Sequence, residues 1–127
     1  MPVETSWYIE KRVCLQRVYG DVTLAQILQA VDDAAVWTAK SSPPVYFIIE
    51  IRAVKSYPPL PMIMRVMPRS SPANVEWSVL VVVDPTLRFM ATLLTRFARM
   101  RYHTVSSIEQ AGEYLKGIDA TLVLPNR

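Results

Sequence analysis

The chain has 127 residues, a formal net charge of +3, 51% hydrophobic residues and 20% charged ones. Such a chain fits one globular domain with a core, residues 1–127, and is not the composition of a disordered segment. No basic stretch followed by an apolar run opens it, and its apolar run Val79 to Val83 is far shorter than a membrane span, so neither a secretory signal nor a transmembrane segment is expected.

The single cysteine, Cys14, has no internal disulfide partner, and a reducing, cytoplasmic location is expected. Charge is unevenly spread. Ile51 to Val75 and Pro85 to Ile108 hold basic residues and no acid, whereas Asp21 to Glu50 holds four acids against Lys40 alone. Asymmetry of this kind steers anionic partners or helps two proteins, or two copies, to dock.

Trp7 to Glu10 and Val13 to Val18 read as two short strands, split near Lys11–Arg12. Gly20–Asp21 then turns the chain. Thr23 with Gln26 forms a capping box, and the spacing of Leu24, Ile27, Leu28, Val31 and Ala35 predicts a helix to about Ala39 with these residues inward. After Pro43–Pro44, Val45 to Ile51 is a β-branched and aromatic run suited to a strand buried on both faces.

Tyr57 to Pro72 is rich in proline and methionine, and a short helix is expected within it. Glu76 to Val83 is a second apolar strand. Asp84–Pro85 is a strong helix start, with Leu87, Met90, Leu94 and Phe97 inward and Arg88, Arg96 and Arg99 on the opposite face. Tyr102 to Val105 reads as a strand. Ser106 with Glu109 reads as a second capping box, opening a last helix through about Lys116 that Gly117 stops. Strands alternating with amphipathic helices predict an α/β fold: a mixed, mostly parallel sheet of about five strands, with a core over about 6–117 and a short tail over 118–127.

Chemistry is thin. One histidine and one cysteine supply at most a Cys14–His103 dyad, and Cys14 sits in an apolar strand where cysteine acts as a small hydrophobe. No ligand cluster for a metal has useful spacing. Three glycines cannot build a phosphate loop or a dinucleotide fingerprint. No catalytic residue, cofactor or metal is therefore expected. Arg88, Arg96 and Arg99 offer a basic face, but a charged outer face is ordinary for a surface helix and nucleic acid is disfavoured. Glu50, at the end of a parallel strand, stands where ligands gather in open sheets, or else pairs with Arg52. Met62, Met64 and Met67 either line an apolar pocket or contact patch, or fill the core.

Three patterns carry a resemblance: Trp7 and the hairpin leading into "VYGDVT", "PPVYFIIEIRAV" ending near Glu50, and "RYHTVSSIEQAGEYLKG". Together they resemble the STAS superfamily in the broad sense, which includes anti-sigma-factor-antagonist-like and CRAL-TRIO-like bacterial domains. The resemblance implies a non-enzymatic regulator that docks protein partners or self-associates as a homodimer. In the antagonists, a serine after the central strand is phosphorylated at the start of a helix. Here Pro58, Pro59 and Leu60 stand near that place, and Ser56 is close to it without matching. The phosphoserine switch is therefore not evident. The CRAL-TRIO-like branch implies instead an apolar, lipid-like ligand, held near Ser56, Tyr57 and the methionines.

Overall fold

A computed structural model describes residues 3–66 and 75–125. Strands β1 (Val3–Ile9) and β2 (Val13–Val18) form an antiparallel hairpin. β1 starts earlier than the residue types suggest, because Val3 pairs with Val18 and is buried. Gly20 takes φ of +73°, a left-handed conformation that disfavours a side chain. It begins the two-residue strand β3 (Gly20–Asp21), which leads into helix α1 (Leu24–Ala39). The capping box forms as expected: Gln26 N–H donates to Thr23 Oγ1 at 3.3 Å, and Thr23 N–H donates to Gln26 Oε1 at 2.8 Å.

Strand β4 (Val45–Glu50) is followed by β5 (Val54–Ser56), which pairs with β3 in a separate parallel ribbon. Three residues are too few for alternation to signal that strand. Helix α2 (Leu60–Val66) and strand β6 (Val75–Val81) come next. Helix α3 (Pro85–Phe97) starts on Asp84, whose carboxylate accepts from Leu87 N–H at 2.9 Å. Strand β7 (Tyr102–Val105) leads to helix α4 (Ile108–Ile118).

The expected cap of α4 is corrected by one residue. Ser107 Oγ, not Ser106, accepts from Gln110 N–H at 3.1 Å, and Gln110 Oε1 accepts from Ser106 N–H at 2.9 Å. Gly117 lies inside the last turn, and the helix ends at Asp119.

The main sheet has the order β1-β2-β4-β6-β7, parallel throughout except for the opening hairpin. This is the mixed, mostly parallel five-stranded sheet that the pattern predicts. Strand alternation divides its side chains between two faces. On one face Val13, Leu15, Tyr46, Ile48, Val79 and Val81 pack against Ala111, Leu115 and Leu122. The core thus extends past Gly117 as far as Leu122. α4 lies so close that a Cβ on Gly112 would stand 2.5 Å from Tyr8 Oη. On the other face Cys14, Phe47, Ile51, Leu80 and Val82 look toward α1 and α3.

Asp119 clasps the end of α4 to the sheet. Its carboxylate accepts from Arg12 Nη2 at 2.8 Å, Tyr46 Oη at 2.9 Å and Thr121 Oγ1 at 2.5 Å. The Thr121 hydroxyl and N–H, then the Tyr46 hydroxyl, hold its pKa down to about 2. In an unfolded chain the group titrates near about 3.9. The folded value is the lower one, so the clasp is at full strength above about pH 4 and is lost as pH falls toward about 2. Urea unfolding between about pH 5 and pH 2 should show the midpoint of the native protein falling, and a shallower fall in Asp119→Asn.

An apolar cavity as the candidate functional site

The face of the sheet under α1 and α3 is covered at a distance. Thr38 is the buried residue of α1 and Thr95 that of α3. The inward stripe expected for α1 is corrected at one position: Leu28 is 40% exposed on the outer side, while Ile27, Val31 and Ala35 face the sheet side without being fully buried. On α3, Leu87, Met90 and Leu94 turn inward, but Leu93 is exposed and Phe89 is 63% exposed on the outer side.

Between sheet and helices lies a cavity of about 600 Å³. Its floor is Gln16, Val18, Phe47, Ile49, Ile51 and Leu80. Ile27, Ala30, Val31 and Ala34 of α1 form one wall, and Leu87, Met90, Ala91, Leu94 and Thr95 of α3 form the other. Tyr57, just before α2, and Ile63 of α2 also line it. None of the described lining residues is charged. Three of its polar side chains are committed at least in part to the protein. Gln16 Nε2 donates to Ala30 O at 2.8 Å, Thr95 Oγ1 lies 2.9 Å from Thr92 O, and Gln26 Oε1 caps α1. The space is of the size and character of a small-molecule site.

The structure brings some of the expected site residues here and sends others elsewhere. Tyr57 lines the cavity. Met62 is 43% exposed and Met64 half-buried, and neither is among the lining residues; Ile63 between them is. Neighbours on a helix point about 100° apart, so the turn that sends Ile63 inward carries both methionines away. Met67 lies outside the described residues. Met90 and Met100 do line the space.

Glu50 is not in the cavity. Alternation along β4 points it to the α4 face, where it accepts from Arg52 N–H at 2.7 Å and Arg52 Nε at 3.2 Å. Ser56 is exposed on β5 and donates to Asp21 Oδ1 at 2.8 Å. Arg88, Arg96 and Arg99 are exposed, away from the cavity. Arg99 lies beyond α3 with φ of 56°, so the helix itself presents Arg88 and Arg96, and Arg96 Nε donates to Tyr102 Oη at 3.1 Å.

The Cys14–His103 dyad does not form. Cys14 is fully buried on the α1 face of β2. His103, on β7, stacks on Tyr114 of α4 at 3.9 Å, on the opposite face with β4 and β6 between. Among the described residues no group of three or more His, Cys, Asp or Glu is placed to hold a metal, and no helix is long and apolar enough to cross a membrane. The site residues that sequence reasoning missed include Gln16, Ile63 and the alanines of α1 and α3. Gln16 stands in an apolar strand, and a lone glutamine there is its one signal.

No protein-family model matches the chain, and no curated protein matches it. Among solved structures, an uncharacterised protein of the DUF3478 family from Shewanella loihica PV-4, described as having a SpoIIAA-like fold, superposes with a TM-score of 0.59. Identity is 8%, over 89% of this chain and 91% of that one. The chain therefore has a SpoIIAA-like fold, the STAS-type architecture that the three sequence patterns resemble.

Burial, with the nearby Asp33 charge adding, pushes the Cys14 thiol up to about 12. A thiolate is the reactive form. Thiol reagents should therefore label the native protein no faster than it unfolds, with the rate rising through the urea transition.

Proposed function

We propose that this protein binds a small apolar molecule in the cavity beneath α1, α2 and α3, as a carrier or sensor and without catalysing a reaction on it. The observation that carries the reading is a cavity of about 600 Å³ whose described lining has no charged side chain, under two helices that bury one residue each. An apolar chamber of that size is costly to leave to water. Each 100 Å² of apolar lining that a ligand covers is worth about 2.5 kcal/mol.

Native mass spectrometry after gentle purification, with titration of an apolar fluorophore, tests this. One molecule is expected per chain, saturably. At about a hundred times its Kd a ligand adds about 2.7 kcal/mol, a rise in Tm on the order of 10 °C. Ala91→Phe, which fills the space from α3, should weaken the fluorophore about tenfold, or ~1.4 kcal/mol, without lowering Tm. A protein that carries nothing and takes up no fluorophore refutes the reading.

A second reading is self-association, favoured by the outer side of α3. Phe89 and Leu93, one turn apart, are exposed beside Arg88 and Arg96, and exposed Asp32 of α1 offers a second copy the opposite charge. Sedimentation across concentrations should then show a dimer that Phe89→Asp converts to monomer. A wild-type chain that stays monomeric removes this reading.

A further inference from the structure

We propose that Gln16 is the polar anchor of this cavity, and that the occupant is an uncharged apolar molecule bearing a hydroxyl group. The inference rests on the ligand-binding reading above and names the class of ligand. Gln16 is 5% exposed, yet it lies on the cavity floor among apolar side chains. Its carboxamide orientation is fixed by chemistry. Ala30 O is an acceptor, so only the amide nitrogen can face it at 2.8 Å.

That bond uses one of the two N–H groups. Among the described residues, Gln16 Oε1 accepts no hydrogen bond and the second N–H donates none. Oε1 is not among the fully buried atoms that lack a partner, so it is reached from the pocket, and an apolar occupant that covered it without donating to it would leave it unsatisfied. A hydroxyl group fits both ends, since it donates to Oε1 and accepts from Nε2. Of the other polar side chains of the lining, Tyr57 carries its hydroxyl on α2's side of the space, while Thr95 and Gln26 are already engaged. Thr95 spends its proton on backbone carbonyls of α3, and Gln26 spends its oxygen on Thr23 N–H.

Charge is selected against. None of the described lining residues is cationic, so a carboxylate or phosphate drawn inside would lose its hydration without a counter-charge. A plain hydrocarbon fills the volume but leaves Oε1 unpaired. The ligand class between these is the long-chain or cyclic alcohol.

Three probes of matched size separate the terms: decanol, methoxynonane and decanoate, titrated near about pH 8 by displacement of the fluorophore. Decanol should bind about tenfold tighter than methoxynonane, ~1.4 kcal/mol, because the ether cannot donate. Decanoate should bind weakest. In Gln16→Leu the alcohol should fall to the level of the ether, while the ether keeps its affinity. Equal affinity of alcohol and ether for the wild-type protein overturns the anchor, and that comparison needs no variant to fold. Tightest binding by decanoate overturns the uncharged ligand. In both cases the cavity stands as a binding site. If neither the fluorophore nor any probe binds, the cavity reading itself fails, and the anchor with it.

Discussion

The middle strands β2, β4 and β6 send apolar side chains to both faces, so the sheet must be covered twice. The two covers are unequal. One face meets α4, drawn in at Gly112 against Tyr8 and clasped by Asp119 to Arg12 and Tyr46. The other is roofed by α1 and α3, with Ile63 of α2 also lining the space, and these helices stand off. Ile27, Val31, Leu87 and Leu94 are inward and apolar without being fully buried. The cavity, its apolar lining and the isolation of Gln16 all follow from that difference.

What could be read from the residues was what short-range chemistry decides. Thr23 with Gln26 and Asp84 with Pro85 start helices because each pair satisfies its own backbone groups, whatever the rest of the chain does. The runs at Val45 and Val79 are apolar because both faces are covered. Where two neighbours offer the same chemistry the reading slipped. Ser106 and Ser107 each precede a suitable residue by three places, and packing chose the second. Helical periodicity tells which side of α1 faces inward and says nothing of how far the helix stands from the sheet. The cavity was therefore invisible in the pattern, and suspicion fell on Met62 and Met64 when Ile63 is the inward residue.

Two polar residues at strand ends, Glu50 of β4 and Ser56 of β5, are engaged locally. Glu50 holds Arg52, and Ser56 holds Asp21 across the β3–β5 ribbon. A phosphoryl group on Ser56 would face the Asp21 carboxylate, and like charges at such a distance repel. The fold is shared with the SpoIIAA-like neighbour at 8% identity, which is what a pattern of apolar strands and helix starts can preserve when the chemistry of the sites diverges.

The wall that α1 offers includes Ala30 and Ala34, and across from it stand Ala91 of α3 and Ala98 just after that helix. Alanine has no rotamers to interlock, so these stretches of wall carry less of a mould than Ile27, Val31, Leu87, Met90 and Leu94 beside them. If the proposed ligand enters, such a chamber would grade molecules by girth and chain length. The tether from Gln16 to Ala30 would then limit how far α1 can lift, and with it the width of a ligand of the proposed kind.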